Sequence, residues 1–355
     1  MPLNFTRNVL TLLLGLLAAL SCVQLSTPLP WMIGPLIATA VLSMLGAPTS
    51  SYTPLRNAGQ WVIGAALGLY FTPQVVALVI TLWWAIALNI VWALALGLAF
   101  GGWLHRVHSR RGCLYVSGLS TVTTYFAAPI GAASEMTLMA ERHGAQTELV
   151  ASAHSLRVLL VTLIIPFGFQ FAGLQGLDAT RPGPQFVSWP GLGLLTVLTG
   201  VGCWVMLKLK RTNPWFIGAL AVAVLLTSAG YTLSAIPQAL TNAAQLVIGI
   251  SLGVRFTSGF VHMAPRWLAS VALATVGMIL LCAAFAWALA QFTHLHWATL
   301  LLGTSPGGIA EMSITAKVLQ LGVPVVTAFH VTRLAAVLLL AEPLYRWLYR
   351  DPRAS

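Results

Sequence analysis

Apolar residues run along the chain in twelve blocks, divided by short polar or Pro/Gly-rich connections. The first half holds six, at about 8–25, 29–46, 56–71, 74–102, 113–138 and 146–172. The second half holds six more, at about 187–207, 213–230, 240–256, 264–291, 296–318 and 323–348. A helix needs about 20 apolar residues to cross a bilayer, so the pattern predicts membrane-spanning helices. The fourth block of each half is long enough to cross with tilt. The third is short, ending in Phe71-Thr72-Pro73 or Phe256-Thr257-Ser258, and is expected to cross incompletely.

The two sets are copies of each other. Pro-Trp-Met-Ile-Gly at 30–34 returns as Pro-Trp-Phe-Ile-Gly at 214–218, and NAGQWVIGAALGLYFT at 57–72 returns as NAAQLVIGISLGVRFT at 242–257. Gly131, Glu135, Met136, His154 and Arg157 recur as Gly307, Glu311, Met312, His330 and Arg333, each pair 176 residues apart. Such self-similarity is the signature of a duplicated architecture. The expected domains are therefore a first membrane repeat, 1–180, and a second, 181–355.

The fifth block of each copy is interrupted. Pro129 and Gly131 break the first, and Pro306, Gly307 and Gly308 break the second. Proline and adjacent glycines end a helix. Broken backbone at membrane depth survives only inside protein or along a wet cavity. Each fifth block is thus either a re-entrant hairpin or a discontinuous helix.

Composition narrows the class. Of 355 residues 58% are hydrophobic and 7% charged, against about 25% charged in a soluble domain, which excludes a water-soluble globular protein. Length allows ten to twelve spans and no sizeable soluble domain. The net charge of +11 is read as basic loops held on the cytoplasmic side against anionic lipid, not as nucleic-acid binding. With a cytoplasmic N-terminus and a fifth block that turns back, each half crosses five times and the second is inverted. Fourteen Lys and Arg then lie inside, Arg56 and Arg255 among them, and only Arg181 and Lys317 outside. The expected fold is an all-α polytopic membrane protein of two inverted repeats, with about ten transmembrane helices plus two re-entrant or broken segments. The expected location is the bacterial inner membrane, with both termini cytoplasmic.

Ionisable residues within apolar blocks are the candidate site, because burying one costs about 2.5–3.5 kcal/mol on insertion scales. These are Glu135, Glu311, Arg157 and Arg333, with His154 and His330 three residues before the arginines on the same helix face. Paired carboxylates suit proton or sodium coupling, and the two arginines suit an organic anion. The bland alternative pairs each Glu with an Arg to hold the repeats together, and has each His bond a backbone carbonyl. Asn57 with Gln60, and Asn242 with Gln245, form a second duplicated polar pair that either coordinates a solute or ties helices together. Gly64/Gly68 and Gly249/Gly253 read as close helix packing. No catalytic signature, metal-ligand spacing or cofactor motif stands out.

PWMIGPLIATA, LRNAGQWVIGAALGLYF and SPGGIAEM resemble the AbrB family of bacterial integral membrane proteins, built from a tandem AbrB duplication domain. The resemblance covers nearly the whole chain. Its Pro-Gly-Gly-x-x-Glu-Met motif is complete at Pro306 to Met312, whereas the first copy lacks one glycine and is expected to break more mildly. The family shares only its name with a small soluble DNA-binding regulator. Members carry labels as regulators of gene expression and as ammonia monooxygenases, and neither label follows from the residues. The expected function is secondary transport of a small solute coupled to protons or cations. A membrane-embedded regulator of gene expression, acting through a partner or through solute levels, is the alternative. Expected partners are membrane lipid, the small-molecule or ionic substrate and, as an open question, further copies of the chain. Direct nucleic-acid contact is not expected, because the connecting loops are too short for a DNA-binding helix pair.

Overall fold

The computed structural model of the protein describes residues 2–109, 119–131, 133–174, 176, 186–259 and 264–349. These residues form α-helices and connections, with no strand. The helices are α1 (Pro2–Gln24), α2 (Pro30–Met44), α3 (Thr53–Gly68), α4 (Pro73–Thr81), α5 (Trp83–His108), α6 (Thr121–Ala127), α7 (Ala133–Arg142) and α8 (Thr147–Phe171). They continue as α9 (Trp189–Lys208), α10 (Pro214–Ser228), α11 (Gln238–Gly253), α12 (Pro265–Thr293), α13 (Trp297–Thr304), α14 (Ile309–Val318) and α15 (Val323–Leu348).

Among the described residues, six helices are long and apolar enough to cross a membrane: α1 from Thr6, α5, α8, α9, α12 and α15. They are the first, fourth and sixth elements of each sequence repeat. The pattern of apolar blocks anticipates about ten spans. The difference lies in α2, α3, α10 and α11, which stop at 15 or 16 residues. At 1.5 Å per residue they reach about 22–24 Å, short of a core about 30 Å thick. Their ends are set locally. α2 and α10 each start with proline at the first position, preceded by a left-handed residue, Leu29 (φ 47°) or Asn213 (φ 45°). Gly46 (φ 85°) and Gly230 (φ 87°) follow their last turns. The fourth block is also divided: α4 follows α3 at an 86° bend, and α5 starts only after Leu82.

The chain forms two compact units, each drawn from both halves of the sequence. The first comprises residues 1–81, 162–263 and 310–327. In it α3 packs on α10 and α11 packs on α2. The Pro-Trp-x-Ile-Gly glycines explain how close the backbones come. A Cβ on Gly34 would stand 2.6 Å from the Ala18 carbonyl oxygen of α1, and one on Gly218 would stand 2.6 Å from the Gly202 carbonyl oxygen of α9. Ala19, Leu246 and Ile250 pack with Trp31, while Cys203, Ala219 and Ala65 pack with Trp215 and Trp61. Between apolar helices in lipid, such close van der Waals contact is what drives association. Trp61 also donates its indole N–H to Thr199 Oγ1 at 2.9 Å.

The second unit comprises residues 82–161, 264–309 and 328–355. Here α5 packs on α6 and α12, and α12 packs on α13. Trp92 and Phe285 stack with centroids 4.6 Å apart. His108 Nε2 lies 2.9 Å from Ser270 Oγ, and Trp267 donates to the Leu149 carbonyl at 3.1 Å. Gly97 leaves room for the backbone at Ala128 and Pro129, and Cys282 Sγ lies 3.3 Å from the Thr304 carbonyl. The second unit thereby carries both places where a fifth block leaves its first half-helix.

Candidate functional site

Both fifth blocks are interrupted at the Pro/Gly positions. The first half-helix, α6, begins under a Ser120 cap, whose Oγ accepts from the Thr123 N–H at 3.2 Å. It ends before Ala128, and Gly131 takes φ 111°. Its counterpart α13 is capped by His296, whose Nδ1 accepts from the Ala298 N–H at 3.2 Å, and ends before Ser305, with Pro306, Gly307 and Gly308 outside any helix. α7 begins at Ala133 in the first copy, and α14 at Ile309 in the second.

A broken helix strands its last carbonyls, and a membrane interior has no water for them. Here the repeated spacing of His and Arg acquires a physical role. Arg157 donates from Nη1 to the Ala128 carbonyl at 3.0 Å and from Nη2 to the Pro129 carbonyl at 2.7 Å. Arg333 donates from Nη1 to Ser305 at 2.6 Å and from Nη2 to Gly307 at 2.9 Å. Each Nη2 also lies against its own histidine, 2.6 Å from His154 Nδ1 and 2.8 Å from His330 Nδ1. Guanidinium has only donors, so each Nδ1 accepts. Each Nε2 then carries the proton and donates it to a carbonyl, Phe126 at 2.9 Å and Leu302 at 2.8 Å. Both imidazoles are thus neutral, in one tautomer. Phe126 and Leu302 are themselves 176 residues apart, so the two clamps match in register. All four side chains are at most 2% exposed.

This geometry corrects the pairing of glutamates with arginines. Among the described residues, no carboxylate lies within 4 Å of Arg157 or Arg333; the ion pairs there are His143–Glu342 and Arg346–Glu342. The positive charges sit instead at the C-terminal ends of half-helices, where the helix dipole favours a cation. Arg157 and Arg333 act electrostatically on each other. The glutamates occupy the opposite ends. Glu135 lies in the first turn of α7 and Glu311 in the first turn of α14, where the dipole favours an anion. Glu135 is half-buried, with Arg142 as its charged neighbour. Glu311 is 8% exposed; its carboxylate meets its own backbone N–H, and Arg255 is its charged neighbour.

The second polar pair divides. Asn57 Oδ1 accepts from Arg56 Nη2 at 3.3 Å, and Asn242 Oδ1 accepts from Gln238 Nε2 at 2.8 Å, so each asparagine is engaged on its own helix. Gln60 is half-buried and Gln245 is buried.

Two residues whose role the sequence did not suggest belong in this account. Arg255 interacts electrostatically with both Glu311 and Arg56. Counting basic residues by side of the membrane hides this, yet Arg255 stands where the otherwise matched first copy has Tyr70. Asn89 is wholly enclosed in α5, with neither amide atom hydrogen-bonded; a lone asparagine in a 26-residue apolar helix was its signal.

Among known proteins, the chain is 27% identical to one named "Putative regulator AbrB" from Escherichia coli (strain K12), over 343 residues covering 94% of each chain. It is 25% identical to "Uncharacterized protein YhjN" from Bacillus subtilis (strain 168), over 90% of this chain and 87% of that one. No solved structure matches. The family described as "Transition state regulatory protein AbrB" matches residues 31–349, a stretch that carries both break-and-clamp segments, and the chain belongs to that family.

Proposed function

We propose that this multi-pass membrane protein is a secondary transporter of a small solute coupled to protons or cations, not an enzyme. The observation that carries the reading is the pair of register-matched helix breaks. Each has its carbonyls satisfied by a buried Arg–His clamp and a glutamate in the first turn of the helix that follows. Discontinuous helices that aim backbone dipoles at a mid-membrane site are a transporter device.

The finer topology belongs to this proposal: two inverted repeats, about ten crossings with the short helices included, an inner-membrane location and both termini cytoplasmic. Hydrogen bonds within the first unit support the grouping of these chain ends by side. Gln170 Nε2 donates to the Ser26 carbonyl, Gly176 N–H to the Leu319 carbonyl, and Ser188 N–H to Ser234 Oγ. All six residues fall outside in that topology. Ser50, on the inner side, bonds to Asn8 and Thr11 of α1.

The test is pH-driven flux and counterflow in proteoliposomes with wild type, Glu311→Gln and Glu135→Gln. Well-folded glutamine variants should lose pH-driven flux. Full flux in the double variant would sink the coupling role. A second reading draws on the name of the Escherichia coli relative: the protein influences gene expression by changing solute levels. Glu311→Gln should then abolish the transcriptional effect together with transport. A variant that lost transport yet regulated normally would favour a membrane sensor.

A further inference from the structure

The first break carries a second set of contacts, all within the second unit, that the clamp does not use. His143 follows the last turn of α7, and Gly144 (φ 70°) turns the chain there. The imidazole stacks on the Phe126 ring of α6, with centroids 5.6 Å apart and 15° between planes, and meets the Tyr345 ring of α15 at 5.1 Å. Tyr345 in turn lies 5.2 Å from the Phe126 ring and 5.1 Å from that of Tyr125. Tyr125 donates its hydroxyl to the Ala341 carbonyl at 2.7 Å. With Gly97, Pro129, Ile130 and Val337 it lines a hollow of about 310 Å³ beside the break. Phe126 thus serves twice: its ring bears on His143, and its carbonyl accepts from His154 of the clamp. The cluster holds α6 and the end of α7 to α15, the same helix that brings Arg333 to the second break.

Charge reaches this cluster from α15. Glu342 Oε1 lies 3.7 Å from His143 Nε2 and accepts from Arg346 Nη2 at 2.5 Å. α6 offers the rings of Tyr125 and Phe126 and no charged group. Glu141 and Arg142 of α7 and Glu148 of α8 are exposed, and among the described residues only Glu342 pairs with His143 within 4 Å. A separation of 3.7 Å is too long for a hydrogen bond from a neutral ring. The contact therefore gains its strength when the imidazole is charged, from the carboxylate and from the face of Phe126. Histidine makes that change between about pH 5 and pH 8. The other copy has no such group: Leu301, Leu302 and Leu319 stand where the first has Tyr125, Phe126 and His143.

We infer that His143 is a proton-binding residue that sets how firmly the first break is held: charged, it latches α6 and the end of α7 to Glu342 of α15, and neutral, it releases them. This goes beyond the transport reading and stands whether or not the protein carries a solute. Protonation adds an attraction that exists only in the latched arrangement. The latch therefore tightens as pH falls through the histidine range and loosens as pH rises through it. Tyr125, packed on Tyr345, makes the wall of the hollow part of the same body. Of the two breaks, only the first answers to this proton.

The experiment is backbone hydrogen exchange, read by mass spectrometry on the purified full-length protein at about pH 5.5 and about pH 8. Each rate is divided by that of an unstructured amide at the same pH. Amides of 121–131 should exchange about two- to fivefold more slowly at the lower pH, the range of a partly exposed ion pair. Those of 297–308, around the second break, should not change. His143→Gln should show the faster exchange at both pH values. His143→Arg, charged at both and flat enough to stack on Phe126, should show the slower. Glu342→Gln should shrink the difference. Equal protection of 121–131 at both pH values in wild type would overturn the inference, as would an equal change in 297–308. A pH dependence that survives His143→Gln would also overturn it and would pass the titration to another group, such as Glu135 in the first turn of α7. The comparison of the two breaks within wild type needs no variant to fold.

Discussion

Replacing Arg333 tests what holds the second helix break. Arg333→Met keeps much of the side chain's length and removes every donor. It strands the Ser305 and Gly307 carbonyls, now bonded at 2.6 and 2.9 Å, and His330 Nδ1, now 2.8 Å from Nη2. A buried polar group left unsatisfied costs about 1–3 kcal/mol, so three of them cost about 3–9 kcal/mol together. Two gains oppose this: a guanidinium no longer has to be buried, and its repulsion from Arg157 ends. The net expectation lies near the low end, about 3–4 kcal/mol. Arg333→Lys keeps the charge, but one ammonium cannot span two carbonyls and the imidazole. It should lose at least one bond, about 1–3 kcal/mol. Glu311→Gln should change stability by less than about 1 kcal/mol, because the carboxylate's favourable company is a helix N-terminus and its own amide. The assay is an unfolding titration in mixed micelles on all three proteins and on Arg333→Met combined with Glu311→Gln. If arginine and glutamate neutralised each other, the combined variant would recover. From the clamp geometry it should be as unstable as Arg333→Met alone. Recovery, or an Arg333→Met protein within about 1 kcal/mol of wild type, would refute the reasoning.

Gly34→Ala and Gly218→Ala should each destabilise by about 1–3 kcal/mol, because the new methyl meets backbone 2.6 Å away. Gly277→Ala, on an open face of α12, should gain about 0.5–1 kcal/mol from helix propensity; the same titration reads all three. In a cysteine-free background, an impermeant thiol reagent added outside should label cysteines at Phe186 and Tyr231, both exposed, and spare one at Arg211. Labelling of Arg211→Cys from outside would rule out the inverted topology. His330→Ala should cost about 2–4 kcal/mol, since it leaves the Leu302 carbonyl and one Arg333 N–H unpaired.

Much of the helical layout was legible because proline and glycine act locally. Pro30, Pro214, Pro129 and Pro306 mark helix starts and breaks wherever they occur, and the fixed offset of 176 residues announced that two segments share one geometry. What Arg157 and Arg333 do was not legible. A sequence shows a charge, and the customary partner for a charge is its opposite. Their partners are neutral carbonyls 26 to 29 residues upstream, acceptors that exist only once the helix breaks. The division of the third and fourth blocks was hidden for a related reason. Apolar composition continues past Gly68 into α4, but the chain turns through 86° there, and hydropathy does not record direction. Arg255 was hidden by its ordinariness, since an arginine at the end of an apolar block looks like one more residue held on the inner side.

The clamps also bear on how the chain is made. Translation delivers α6 and the first break before Arg157, and α13 and the second break before Arg333. Until the next long helix emerges, the broken end has no donors for its carbonyls and is poorly suited to lipid. Each half-helix pair and the helix after it should therefore leave the translocon as one package. A nascent chain halted between Gly131 and Arg157 would hold an uncapped break, with the channel wall or a chaperone as its temporary solvent. Membrane quality control that recognises exposed polar backbone would find here a window set by codon position, open for some twenty-six residues in each half and closed by the arrival of one arginine.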